Sequence, residues 1–330
     1  IQYCNPNRPT TIIQGVENCF RFEIAYMPGD TVEEIQKESV FRKYIDQWIG
    51  DNEVEFSRTA VYSFHAAAAE RWSNGNIFLL GDAAHQMPPF MGQGMNSGCR
   101  DAENLLWKIN GVLKGLYKAK ILDTYETERK PHVARITRAA IKLGGVINAK
   151  SKFRALIRNA TLRIQGYFKG KENIFPIMNG NRLGQGVHNM PKIKDVSLER
   201  YYFNEISVRL NDGRVQSTDK ILGKNFGMIL NDFEGNKKIS DKYLEFLNKH
   251  NFKIINISNN HEQSNYDNYI ACEDTHSDMQ IYCDKYDCNA VILRPDKYVF
   301  DIFNFETDNL DEIVSSAIKN LQETAVFTPN

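Results

Sequence analysis

The stretch GDAAHQMPPFMGQGMNSGCRDAENLLWKI, residues 81–109, holds the residue types and spacings that could do chemistry. It follows the apolar run Ile77-Phe78-Leu79-Leu80, which the turn residues Ser73-Asn74-Gly75 set off from what precedes. A short unbroken run between turn signals reads as a strand buried on both faces, as in a parallel sheet. Gly81-Asp82 at its end then places a carboxylate at the carboxyl edge of such a sheet, where open α/β folds bind ligands. There Asp82 can accept hydrogen bonds from sugar hydroxyls, and Gly81 lets backbone approach closely. Gly92-Gln93-Gly94-Met95-Asn96 precedes a long amphipathic pattern. The N–H groups of Gly94, Met95 and Asn96 are therefore expected to project from a helix N-terminus, an end that favours negative charge.

The elements that must position this stretch show in the periodicity. Ala102, Leu105, Leu106, Ile109, Val112 and Leu113 fall three and four apart, one apolar stripe of a long helix. A second helix starts near Asp123, with Tyr125, Val133, Ile136, Ala140 and Leu143 on one side and Pro131 as an expected kink. Upstream, Phe20, Phe22 and Ile24 alternate with polar or small residues as in a half-buried strand, which Pro28-Gly29 stops. Thr31-x-x-Glu34 is a capping-box pattern for a helix to about Trp48. Val54 with Phe56, and Tyr62 with Phe64, predict further strands, making the first 70 or so residues a piece of a mostly antiparallel sheet.

Residues 151–194 begin basic and turn rich in Gly and Asn, the composition of a connector of helix and loop. Beyond them a new pattern predicts strands at Phe226 to Leu230, Phe252 to Ile257, Asn289 to Leu293 and Tyr298 to Phe300, the last after a Pro295-Asp296 turn. Helices are expected from Lys242 to Lys249 and along Leu310, Ile313, Val314, Ala317, Ile318 and Leu321. That order suits a small α/β domain of thioredoxin type.

Lys plus Arg equals Asp plus Glu at 41 each, so bulk charge recruits neither nucleic acid nor an anionic membrane, though local patches stay open. No apolar run reaches the ~20 residues of a membrane helix. The six cysteines form no CxxC pair and are read as free thiols in a reducing compartment, the cytoplasm. The chain opens on Ile1 rather than Met, as expected of a cut within a longer protein.

GDAAHxxPPxxGQGxN closely resembles the second flavin motif of class A FAD-dependent aromatic monooxygenases, those with the p-hydroxybenzoate hydroxylase fold. RPTT at 8–11, VYSFHA at 61–66, ERW at 70–72, LLWKINGVLKG and LDTYETERKPH at 122–132 sharpen the likeness toward the 3-(3-hydroxyphenyl)propionate hydroxylase group. ILRPDKYV resembles that group's thioredoxin-like tail. The resemblance implies a mixed α/β, partly α+β, architecture: a partial flavin monooxygenase fold with an antiparallel substrate-domain sheet and a C-terminal thioredoxin-like domain. It implies a division into 1–72, the remainder of the substrate sheet; 73–150, the C-terminal half of the FAD-binding domain; 151–194, a connector; and 195–330, the thioredoxin-like domain.

The cofactor implied is FAD, with NAD(P)H as co-substrate. Asp82 would bind its ribityl or pyrophosphate side, Pro88 and Pro89 would lie against the ring, and the helix start at Gly94, Met95 and Asn96 would face the pyrimidine edge, with Gly81, Gly92 and Gln93 also among the cofactor-binding residues. The chemistry implied is capture of oxygen as a peroxyflavin and transfer of one oxygen atom to a phenolic acid. The partners are then a small aromatic substrate and molecular oxygen, with a homodimer as one arrangement. The family's GxGxxG segment and internal Asp-Gly motif are not in this sequence, so the span is expected to bind FAD poorly alone.

Plainer readings stand beside these. His85 is the one catalytic candidate, yet a histidine after a sheet edge is more often structural, and His65 reads the same way. Gln93 could contact flavin or substrate, or merely cap the helix. Trp107 reads as packing, and Arg100 and Asp101 as local ion pairs. Cys272, His276, Cys283 and Cys288 are too irregularly spaced for a zinc site. Besides a hydroxylase of phenolic acids, the sequence allows a non-catalytic interaction module or a family member acting on a polycyclic substrate.

Overall fold

The computed structural model describes residues 1–169, 183, 187, 202–231, 245–248, 250–258, 268–304, 312, 314–316 and 319. They fall into two compact units, the first from 1–69, 82–96 and 135–169, the second from 70–81, 97–134 and the described residues from 183 onward.

The chain opens in the first unit with a three-stranded antiparallel sheet of β1 (Gln2–Tyr3), β2 (Thr10–Gln14) and β3 (Phe20–Ile24). Helices α1 (Val32–Ile35) and α2 (Glu38–Ile49) follow. Arg8 ties the loop after β3 to the sheet, forking onto Asp30 at 2.8 and 2.9 Å with its guanidinium over the Tyr44 ring. Thr31 occupies the N-cap position without a side-chain cap bond, and α1 ends after one turn, so the expected continuous capped helix is two pieces. Residues 52–66 contain no strand. The alternation of Val54, Phe56, Tyr62 and Phe64 instead serves ring packing, with Phe56 edge-on to Phe41 and Tyr62 stacked on Phe64.

After β4 (Ala67–Ala68), a hairpin of β5 (Ser73–Asn74) and β6 (Ile77–Phe78) turns at Gly75, whose φ is +58°. Here the sequence reading fails. The run 77–80 is a two-residue antiparallel strand rather than a buried parallel one, and Ile77 is 70 % exposed. A continuous apolar run reports capacity for burial; which partners it meets is set elsewhere.

Strand β7 (His85–Gln86) pairs antiparallel with β4. Two long helices then run from one unit into the other, α3 (Gln93–Leu113) and α4 (Thr124–Ile147), and α4 carries Pro131 without ending. The basic segment after them is a helix, α5 (Lys152–Lys169).

In the second unit, β8 (Ser207–Leu210), β9 (Val215–Ser217), α6 (Thr218–Leu222), β10 (Gly227–Asn231), β11 (Lys253–Ile257), β12 (Tyr269–Asp274), α7 (Asp278–Tyr286), β13 (Ala290–Leu293) and β14 (Val299–Phe303) build one sheet and its helices. The strand order is β14-β13-β10-β11-β12-β8-β9, with β10, β11 and β12 parallel and the other neighbours antiparallel. Residues 245–248 are helical, as expected; most of the predicted closing helix around Leu310, Ile313, Ala317, Ile318 and Leu321 lies outside the described residues. Both faces of the sheet are covered. Met228 and Leu230 point to a core that takes in Trp107 and Ile121, while Ile229 points to the other with Phe203, Met279 and Cys283.

The expected apolar stripe of α3 is its buried face only in part: Leu105 is buried and Ala102, Ile109 and Val112 are half-buried. Leu106 and Leu113 are exposed, whereas Asp101, Asn104 and Lys108 are fully buried beside Leu105 and Trp107. The reason is a polar network centred on Glu128 of α4. Glu128 Oε2 accepts from Asn104 Nδ2 at 2.7 Å, Lys108 Nζ at 2.8 Å and Arg294 Nη2 at 2.9 Å, and Oε1 accepts from the Val187 N–H at 2.6 Å and Arg294 Nη1 at 2.9 Å. Arg294 also forks onto Asp296 at 2.9 and 2.7 Å. Two cations and two anions thus balance in a dry site, and Arg294 lies over the Trp107 ring.

Burial opposes the charge on Glu128, but Arg294 and Lys108 outweigh it and hold the carboxyl far below the usual range. Burial draws Lys108 down to about 8 against the pull of Glu128. Removing one partner of such a set strands the others. Glu128→Gln should therefore cost about 3–5 kcal/mol at neutral pH in urea unfolding. Because the folded pKa is depressed, the unfolded chain takes the proton first as pH falls. The stability Glu128 supplies is complete above about pH 4.3 and drains below it, so the gap between wild type and Glu128→Gln should close toward pH 2. A loss under about 1 kcal/mol, or a gap independent of pH, would contradict the network's role.

Candidate functional site

The segment from 82 to 96 belongs to the first unit and is built from tight turns. Ala69 N–H donates to Ala84 O at 2.8 Å, extending the β4–β7 pair and burying His85 opposite Ala68. Pro88 is extended, and Pro89–Met91 form a single 3₁₀ turn closed by Gly92 N–H to Pro89 O at 2.9 Å. Gly92 sits at φ +60°, ψ +25°, left-handed geometry that favours glycine, and this reverses the chain into α3. The Phe90 ring occupies the space that a Cβ on Gly144 would need.

Helix α3 begins at Gln93, so the amides of its first turn have no acceptor within the helix. No acidic residue stands in that turn, leaving its positive end unneutralised by a carboxylate of its own. Asn96 Nδ2 donates to Gly92 O at 3.2 Å and Gln93 Nε2 to Met91 O at 3.3 Å, which stiffens the turn with side chains while the first-turn amides point along the axis. A Cβ on Gly94 would meet nothing nearer than Met87 Cγ at 4.0 Å. Met95 and Asn96 are exposed, Pro88, Pro89, Gln93 and Gly94 half-buried, and Asp82 exposed.

The residue before Asp82 is anchored in the second unit. Gly81, at φ +57°, starts a 3₁₀ turn, and its N–H donates to Asp101 Oδ2 at 3.1 Å. Asp101 Oδ1 accepts from Arg129 Nε at 2.8 Å; Arg129 also reaches Ser97 O at 3.3 Å and the His132 ring. Gly98 faces Gly81 so closely that a Cβ on it would lie 3.2 Å from Gly81 Cα. Leu79 O accepts from the Tyr125 hydroxyl at 2.8 Å, and Trp72 N–H donates to Glu126 at 2.8 Å. Each fixed point before Asp82 is thus held by α3 or α4.

Of the residues picked from sequence, Asp82, Pro88, Pro89, Gly92, Gln93, Gly94, Met95 and Asn96 share one unit and one stretch of chain, and Gly81 joins them through its peptide bond. His85 is buried at 3 % exposure, as a packing residue would be. Asp101, expected in a local ion pair, forms a fully buried one with Arg129, 28 residues away. Glu128 and Arg129 sit in the TYETERKPH stretch, but neither motif nor periodicity singles them out; Tyr125, expected on the apolar side of its helix, is fully buried. This donor set suits a ligand that carries carbonyl or anionic character on one edge and hydroxyls on another: backbone N–H groups at the helix start, one acceptor carboxylate in Asp82.

Residues 8–140 match the FAD binding domain family and residues 202–318 the HcaD C-terminal domain family. The chain is 28% identical over 304 residues to 3-(3-hydroxy-phenyl)propionate/3-hydroxycinnamic acid hydroxylase of Burkholderia cenocepacia (strain HI2424), covering 90% of this chain and 56% of that protein. The Escherichia coli (strain K12) protein of the same name is 27% identical over 308 residues, covering 90% and 55%. The chain therefore spans about half the length of the curated relatives it matches. Among solved structures it is similar in fold to the flavin-dependent monooxygenase PieE in complex with FAD and substrate, at TM-score 0.67 and 18% identity over 96% of this chain and 60% of that one. Aklavinone-11 hydroxylase with FAD and aklavinone also gives 0.67, at 17% identity over 96% and 57%.

The close approach of Gly81 and Gly98 generates a direct test. Gly98→Val should displace the 81–83 turn and lengthen the bond to Asp101, costing about 1–3 kcal/mol in thermal or urea unfolding. A variant as stable as the wild type would mean that the turn does not need the glycine pair.

Proposed function

An FAD binding domain joined to an HcaD C-terminal domain makes this chain a relative of the FAD-dependent aromatic hydroxylases, and on that premise we propose that it hydroxylates a phenolic aromatic acid. The observation that carries the site is the start of α3: left-handed Gly92, amides without intrahelical acceptors, no acid in the first turn, and Asp82 on the same segment. Bound FAD supplies the redox and oxygen-activating chemistry, with NAD(P)H as reductant and molecular oxygen as co-substrate. The chain's own residues bind and orient. Asp82 accepts hydrogen bonds from cofactor hydroxyls, Gly81 brings backbone close, Pro88 and Pro89 form a stiff wall against the ring, and the amides of 93–96 offer donors and a positive field to the ring's carbonyl edge. His85, buried on β7, takes no proton-transfer role in this reading.

The same reading divides the chain into substrate-sheet residues 1–72, flavin-domain residues 73–150, a connector over 151–194 and a C-terminal domain from 195. What supports a thioredoxin-like form for the last is the run β14-β13-β10-β11, one parallel pair extended by two antiparallel strands. A phenolic acid is favoured by the names and higher identity of the curated relatives. A polycyclic substrate is the second reading, supported by the likeness to aklavinone-11 hydroxylase.

Titration of the full-length protein with FAD tests the site, and product analysis with 3-(3-hydroxyphenyl)propionate and NAD(P)H tests the reaction. A hydrogen bond to a charged group is worth about 1.5–3 kcal/mol, so Asp82→Ala should weaken FAD binding about tenfold to a hundredfold. Unchanged affinity would remove Asp82 from the site. A full-length protein that takes up no FAD would leave the chain as an interaction module.

A further inference from the structure

Helix α5 presents an apolar face to solvent that the flavin site does not use. Phe153, Leu156, Ile157, Ile164, Tyr167 and Phe168 are 69, 67, 51, 58, 86 and 79 % exposed. At 3.6 residues per turn their spacing of 3, 4, 11, 14 and 15 from the first places all six within one arc roughly 120° wide. The opposite side is docked. Ala155 is buried, and Arg158 donates to Val146 O at 3.2 Å and to Cys4 O at 3.0 Å. The helix is therefore seated by its back, with its bulky apolar side chains turned outward over 18 residues, about 27 Å.

The charges around that stripe are of one sign. Residues 150–168 contain Lys150, Lys152, Arg154, Arg158 and Arg163 and no Asp or Glu. Lys152 and Arg163 fall along one margin of the stripe and Arg154 along the other, and all three are exposed. An apolar stripe between cationic margins is the pattern of a helix that lies in the plane of a membrane surface. Among the described residues no helix is long and apolar enough to cross a bilayer, so the geometry is that of a helix lying on it. A second copy is a poorer occupant, because two-fold pairing of this face would bring like-charged margins together.

We propose that α5 docks this protein on anionic lipid surfaces, its aromatic and aliphatic side chains entering the headgroup boundary and its Lys and Arg margins meeting lipid phosphates. This goes beyond the flavin reading and does not depend on it. The chain as a whole carries no net charge, so bulk charge adds no attraction to that of this patch.

Co-sedimentation of the full-length protein with phosphatidylcholine vesicles, with and without phosphatidylglycerol, tests the proposal. Binding should appear only with phosphatidylglycerol and weaken with added salt. A basic side chain near an anionic surface contributes about fivefold, so the triple variant Lys152→Gln, Arg154→Gln, Arg163→Gln should lose about a hundredfold in partitioning. Phe153→Ser with Phe168→Ser should abolish binding while leaving thermal unfolding and FAD titration as in wild type, since both side chains are exposed. The proposal is overturned if neither vesicle binds, if both bind equally, or if light scattering shows that the stripe holds two copies together and the serine variant separates them.

Discussion

A carboxylate with no access to water sets the terms for the second unit. Glu128 can stay ionised there only because Lys108, Asn104, Arg294 and a backbone N–H all converge on it. Those partners come from α3, from the stretch before β14 and from Val187, so the requirement to satisfy one charge locks two helices against the C-terminal sheet. An apolar contact would tolerate sliding; five directed bonds do not. Within this unit the register of α3 along α4 is fixed by the same demand.

A second buried pair repeats the logic nearer to the motif. Asp101 uses one oxygen on Arg129 and the other on the N–H of Gly81, so the ion pair also secures the turn that presents Asp82. Gly81 and Gly98 are small because helix and turn meet there, and Gly92 is left-handed because the chain must reverse into a helix start. The rigidity of these buried bonds belongs to packing and energetics; the exposed carboxylate of Asp82 is what a ligand would meet.

The parts legible in the sequence were those governed by local rules. Glycines 92 and 94 ahead of a period of three and four gave α3, the Pro-Gly stop bounded β3, and the apolar runs of the C-terminal half became strands of one sheet. What was misread depended on partners distant in sequence. Leu106 and Leu113 look like core positions, yet Asn104 and Lys108 turn inward beside Leu105 and Trp107, and their hydrogen-bond partners stand twenty to nearly two hundred residues away. Ile77 to Leu80 has the composition of a central strand but pairs only with its own hairpin. The alternation at 54–64 went to aromatic packing. The basic connector, expected to hold helix and loop, opens with helix α5, whose bulky apolar positions face outward.

The central claim is that the start of α3 meets the flavin and favours negative charge on it. The most direct measurement is the two-electron reduction potential of FAD in the full-length Gly94→Val protein against wild type. A helix terminus contributes about 0.3–2 kcal/mol to a nearby charge, which for two electrons is about 6–43 mV. The account predicts that the variant keeps FAD and that its potential falls by that amount, as the valine holds the ring off the amides. A Gly94→Val protein that binds FAD at an unaltered potential would contradict it and move the flavin away from residues 92–96.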